Sequence, residues 1–113
     1  MAELPLTAPL FHVLVSLADE DRHGYAIIKD VEDRTSGDVR LSTGTLYGII
    51  KRLLADGWIA EARSRRPTDD DERRRYYRLT PAGRDAALTE TARLERAAAQ
   101  ARAALRPRRA QTT

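Results

Sequence analysis

Thr43, Thr45, Tyr47 and Lys51 fall within a short run that also holds two glycines, Gly44 and Gly48. Their hydroxyls and amine are hydrogen-bond donors suited to phosphate oxygens or to the edges of nucleic-acid bases. Nothing in the run could activate a nucleophile. Elsewhere the chemistry is equally sparse. His12 and His23 are the only histidines and sit on separate elements. No Ser-His-acid set, metal-ligand spacing or phosphate loop is recognisable. The run Asp69-Asp70-Asp71-Glu72 reads as solvated acids in a loop rather than as a cation site. These absences argue against an enzyme, and no metal or cofactor is expected.

The run opens an amphipathic helix. Leu46, Ile49, Ile50, Leu53 and Leu54 recur at the helical period, Ser42 or Thr43 starts it, and Asp56-Gly57 closes it. With ~100° per residue the apolar side chains span a sector of about 140°. Gly44, Gly48, Lys51 and Ala55 cluster opposite, flanked by Tyr47 and Arg52. Each glycine costs a helix interior roughly 1 kcal/mol against alanine. A bare outer face lets the backbone approach a groove floor, and the amides and dipole of a helix N-terminus attract phosphate. Ser42 and Thr43 also suit helix caps, a role compatible with a groove contact.

Around this helix the chain reads as mostly α with a small β-hairpin. Thr7 and Pro9 start a first helix, on which Leu10, Phe11, Val13, Leu14, Leu17 and Ala18 cover more than one face. That width suggests a partner. A second helix begins near His23-Gly24-Tyr25, with Gly24, Ile28, Val31 and Thr35 on one face, and stops at Ser36-Gly37. Asp38-Val39-Arg40-Leu41 alternates and suggests a short strand or bridge. After the third helix, residues 58–63 and 76–80 read as two strands joined by a charged loop. Between Arg63 and Arg75 that loop sets six arginines against four acids, a balance of only +2. The acidic tip should turn away from any polyanion, leaving Arg73, Arg74 and Arg75 as better contacts than Arg65 and Arg66. Thr80 and Pro81 start a last, long helix. Ala87, Leu94, Ala98, Ala101 and Leu105 form its stripe, with Arg93, Arg96, Arg102, Glu90 and Glu95 assigned to the opposite face.

This order is that of a winged helix-turn-helix, whose third helix enters a major groove while the hairpin flanks it. The expected division is residues 1–80 as the winged helix-turn-helix, 81–107 as a dimerisation helix and 108–113 as a flexible tail. A chain of 113 residues supports one core, and 42% hydrophobic residues suffice to build it. Net charge is +3 and the pI about 9.7, modestly basic. The absence of cysteine fits a reducing cytoplasm, and no segment has the composition of a secretory leader or membrane span.

Four motifs carry a resemblance over roughly residues 8 to 84. They are His23-Gly24-Tyr25-Ala26-Ile27-Ile28, Gly44-Thr45-Leu46-Tyr47, Arg52-Leu53 with Gly57-Trp58-Ile59, and Arg75-Tyr76-Tyr77-Arg78-Leu79-Thr80-Pro81-Ala82-Gly83-Arg84. Together they resemble the PadR family of bacterial transcriptional regulators, in its shorter form with one terminal helix. The resemblance implies a homodimeric winged-helix repressor, often responsive to a small molecule. It also implies DNA contacts from the start of the third helix, including Tyr47, and from the wing. Thr43 and Gly48 depart from the pattern, standing where relatives commonly carry proline.

The expected DNA-contacting set is therefore Tyr25, Ser42, Thr43, Gly44, Thr45, Tyr47, Lys51, Arg73, Arg74 and Arg75. The expected dimer interface is Phe11, Ala87, Leu94, Ala98, Ala101 and Leu105. The expected partners are double-stranded DNA, a second copy of the chain and a small-molecule effector. A rival reading is a winged-helix protein-docking module without DNA affinity, which predicts an apolar patch where Gly44, Gly48 and Lys51 stand. Double-stranded RNA is disfavoured, because its narrow major groove excludes a helix.

Overall fold

Local capping chemistry sets the element boundaries in the computed structural model, which describes residues 5–63 and 75–108. Helix α1 (Ala8–Ser16) is capped by Thr7, whose hydroxyl accepts from the Leu10 amide. Helix α2 (Gly24–Arg34) is capped by His23, whose Nδ1 accepts from the Ala26 amide at 3.2 Å. Helix α3 (Thr43–Ala55) is capped by Ser42. At its far end Gly57 takes a φ of 74°, a left-handed turn that a side chain would strain. The Trp58 amide then donates to the Leu53 carbonyl and turns the chain into strand β2 (Ile59–Ala62). Strand β3 (Tyr76–Leu79) runs back antiparallel to β2, and Thr80 caps the 24-residue helix α4 (Pro81–Ala104) through the Gly83 amide.

The sheet has a third strand, but not where alternation pointed. Strand β1 (Arg22–His23) pairs antiparallel with β3, giving the order β1-β3-β2. Two residues are too few to show a period, so the pairing left no pattern to read. Residues 38–41 form no strand. Thr35 takes their hydrogen bonding instead: its hydroxyl accepts from the Val39 amide at 3.0 Å and donates to the Val31 carbonyl.

The core gathers Leu10, Val13, Leu14 and Leu17 with Ile27, Val31, Leu46, Ile49, Ile50, Leu53, Ile59 and Tyr77. The wide apolar face of α1 is therefore covered largely by its own domain, with Phe11 half-buried at the margin and Ala18 exposed. On α2 the buried face is Gly24, Ile27 and Val31, with Ile28 at its edge. Arg22 anchors the α1–α2 connection. Its Nε donates to the Ser16 carbonyl at 2.7 Å, and Asp19, Glu20 and Asp30 surround its head.

Helix α4 docks by its first turns only. Gly83 packs against the Trp58 carbonyl, Arg84 Nη2 donates to the Ala18 carbonyl at 3.0 Å, and Ala87 touches the core. Glu90 overturns the expectation of a solvent-facing residue, being only 2% exposed. Arg93 closes over it with a two-pronged hydrogen bond, a pairing that a helix allows between residues three apart. Beyond Glu90 the helix projects from the body and draws the molecule out to 74 × 28 × 23 Å.

The Arg93 hydrogen bond, helped by the Leu6 amide, holds the Glu90 carboxyl below its ordinary value of 4.5. A depressed carboxylate contributes stability that is present above the unfolded value and lost as pH falls through the folded one. Glu90→Gln should therefore flatten the fall in melting temperature between about pH 5 and about pH 3 relative to wild type. Thermal melts across that range check it.

Candidate nucleic-acid interface

Helix α3 turns its Leu46, Ile49, Ile50 and Leu53 inward and leaves Thr43, Gly44, Thr45, Tyr47, Gly48, Lys51, Arg52 and Ala55 exposed. The division on the helical wheel is the one the sequence predicts. A methyl group built at Gly44 or Gly48 would meet nothing within 4 Å. The interior therefore asks for neither glycine, and their propensity cost is unanswered within the chain. A bare stripe of this kind is useful to something that approaches from outside.

The cap of α3 ties up part of the polar set. Ser42 Oγ accepts from the Thr45 amide at 3.1 Å and donates to Thr45 Oγ1 at 2.9 Å. Both hydroxyls remain on the exposed surface beside Thr43. The helix-turn-helix explains the His23-Gly24-Tyr25 motif. His23 caps α2 and sets its ring edge-on to Tyr76 of β3, with centroids 5.4 Å apart. A side chain on Gly24 would come 3.3 Å from Tyr47 Oη and 3.4 Å from Leu46 Cδ2, so the bare position leaves room for α3 side chains against the start of α2. Tyr25 follows, 76% exposed, and Tyr47 is itself 53% exposed. Both phenols are open to solvent, one on each helix of the helix-turn-helix.

The wing lies across β2 and β3. Arg75 precedes β3, and its Nη1 meets Glu61 Oε1 of β2 at 3.3 Å. An exposed pair of this kind contributes well under about 1 kcal/mol, so a phosphate can displace the carboxylate. Arg73 and Arg74 lie outside the described residues, as do the acids expected at the wing tip. Burial pushes the Tyr77 phenol above its ordinary value, with Glu61 and Tyr47 adding to the effect, so Tyr77 remains neutral.

The expected dimer stripe divides in two. Ala87 and Phe11 are partly covered by the domain's own core, whereas Leu94, Ala98, Ala101 and Leu105 lie on the projecting part of α4. Leu94 is 41% and Leu105 80% exposed. Leu88, absent from the expected set, is 60% exposed on a neighbouring face.

Gly83, Arg84 and Glu90 lie where α4 meets the body. Gly83 and Arg84 stand in the family motif without a stated role, and Glu90 is assigned from sequence to the face opposite the apolar stripe. Among the described residues no group of three or more acid or histidine side chains is placed to hold a metal ion. None of their helices is long and apolar enough to cross a membrane.

Comparison with known proteins agrees with this geometry. The family model described as the transcriptional regulator PadR-like family matches residues 13–89. Transcriptional regulator Rv3488 of Mycobacterium tuberculosis is 40% identical over 93 residues, 82% of this chain and 80% of that protein. A PadR family transcription regulator from Clostridium difficile R20291 superposes with a TM-score of 0.63 at 26% identity, over 76% of this chain and 85% of that one. BpsR of Bordetella bronchiseptica, whose DNA binding is regulated by 6-hydroxynicotinic acid, superposes at 0.68 with 25% identity. That match covers 92% of this chain and 66% of the other.

Proposed function

The chain belongs to the PadR family of transcriptional regulators, and from that premise we propose that it is a cytoplasmic homodimeric repressor of a pseudo-palindromic operator. The observation that carries this reading is the bare face of α3, where two glycines with open surroundings lie among exposed donors. The N-terminal half of α3 enters a major groove, where Gly44 and Gly48 give clearance. Ser42, Thr43, Thr45, Tyr47 and Lys51 then contact phosphates or base edges, with Tyr25 beside them. Arg73, Arg74 and Arg75 place the wing on the flanking backbone. Phosphate contacts supply most of the affinity, which makes binding steeply salt-dependent. A protein-docking module would need an apolar patch here, and α3 offers none. Retention on random-sequence duplex DNA that falls with salt tests this reading; a docking module is not retained.

In the same proposal residues 1–80 read DNA and residues 81–107 join two copies. Leucines left in water along Leu94 and Leu105 gain on the order of 1–2 kcal/mol each when a second α4 covers them. The dimer then presents two copies of α3 about 34 Å apart, the spacing of successive major grooves. Leu94→Glu buries a charge in that seam and should convert dimer to monomer, measured by sedimentation equilibrium. It should also weaken operator binding at least tenfold while leaving the monomer folded. A small-molecule effector, such as the one that regulates BpsR, acts on this chain by favouring a dimer with the wrong helix spacing.

A further inference from the structure

Two features separate Gly24 from the other glycines of the winged helix-turn-helix. Its backbone is not left-handed, unlike that of Gly37 and Gly57. Its surroundings are not open, unlike those of Gly44 and Gly48. Helix propensity favours alanine at such a place. What asks for a bare position is contact. A Cβ on Gly24 would lie 3.3 Å from Tyr47 Oη, 3.4 Å from Leu46 Cδ2 and 3.6 Å from Tyr47 Cζ. Tyr47 is half-exposed, and its own helix does little to hold it. A helical side chain leans over the turn before it, and that turn carries Thr43 and the bare Gly44. Gly24 is held in place from both sides. His23 before it pairs with Tyr76 of β3 and caps α2 through the Ala26 amide. Ile27, one turn on, is fully buried in the core.

We propose that Gly24 is a positioning residue, whose bare backbone is the seat that holds the Tyr47 phenol in one rotamer for DNA. The inference rests on the DNA-reading role proposed above for α3. A ring already ordered in the free protein loses less freedom on binding, so affinity rises without any added contact. An alanine at position 24 would fill the seat and push the phenol end of the ring aside. The far end of a flexible side chain can yield in this way while the fold stays intact.

Anisotropy titrations of Gly24→Ala test this on a duplex enriched by wild type from a random-sequence pool. The variant should melt within about 3 °C of wild type. Its affinity should fall at least about threefold. Tyr47→Phe removes the oxygen nearest the new methyl group, so adding Gly24→Ala to it should cost less than about twofold. The χ1 couplings of Tyr47 in the free protein give a second readout. They should report one staggered rotamer in wild type and a different or averaged set in Gly24→Ala. A smaller loss in Gly24→Ala, an equal loss in the Tyr47→Phe background, or unchanged couplings overturns the proposal. Failure of Gly24→Ala to fold assigns the glycine to stability and overturns it too. If Tyr47→Ala binds like wild type, the reading role of Tyr47 falls, and this inference with it. If Tyr47→Ala loses affinity and Gly24→Ala does not, this inference alone falls.

Discussion

Gly83→Ala should lower the melting temperature by more than about 10 °C or prevent folding. Propensity alone predicts the opposite, because alanine gains roughly 1 kcal/mol over glycine inside a helix. Contact geometry decides against it. The new methyl group would sit on the Trp58 carbonyl oxygen, 2.8 Å from its carbon and 2.9 Å from Leu79 Cδ1. A backbone carbonyl cannot rotate away as a long side chain can. This one also accepts from the Thr80 amide, and the Thr80 hydroxyl donates to Gly57 at 2.7 Å. Moving α4 outward would break the junction that holds the helix to the wing. Overpacking of this kind costs about 3 kcal/mol or more when backbone must shift. Asp85→Ala, at an exposed position of the same helix, is the control and should melt within about 2 °C of wild type. Differential scanning calorimetry of the three proteins checks the prediction.

Gly48→Glu should leave the fold intact and reduce DNA affinity on the order of 100-fold, a loss of about 2.7 kcal/mol. Nothing lies within 4 Å of the position, so the side chain meets no neighbour in the free protein. On DNA it would place a carboxylate in the groove that the open stripe leaves clear, against phosphate and without hydrogen-bond donors. The companion changes Gly44→Ala and Gly48→Ala should each stabilise the free protein by roughly 1 kcal/mol, since helix propensity acts there unopposed. Opposite signs at Gly83 and Gly48 distinguish a glycine the interior requires from one the surface requires. Melting curves alongside fluorescence anisotropy on a labelled duplex measure both effects.

The contrast between those glycines also marks what could be read from residue order. Periodicity on α3 separated Leu46, Ile49, Ile50 and Leu53 from Gly44, Gly48 and Lys51, because a two-sided helix writes its environment at every turn. Caps were equally open to reading: Thr7, Ser42 and Thr80 each stand where the structure places an N-cap. Long-range relations left less trace. Gly83 stood in the family motif, but the reason for a glycine there, the Trp58 carbonyl brought against it, has no trace in local sequence. Glu90, spaced among arginines, matched a solvated face, and only the burial of Leu6 and the docking of α4 place it inside. Strand β1 was hidden in an acidic turn, since pairing with β3 and not its own composition makes it a strand. Much of the broad apolar face of α1, which suggested a partner, packs into its own domain, with Phe11 left half-buried at the margin. Tyr25 and Tyr47 were readable as candidates, but the approach of the Tyr47 phenol to Gly24 depends on how α2 and α3 meet.

The most direct test of DNA reading by α3 is an anisotropy titration across salt concentration. It uses a duplex enriched from a random pool by wild type and compares wild type with Tyr47→Ala and Lys51→Ala. The account predicts a steep linear fall of log affinity with log salt for wild type and clear preference over a scrambled duplex. Tyr47→Ala should lose at least about tenfold in affinity, and Lys51→Ala should reduce the salt slope by about one as it weakens binding. Binding of both variants at wild-type strength, with an unchanged slope, would contradict the assignment of α3 as the reading helix.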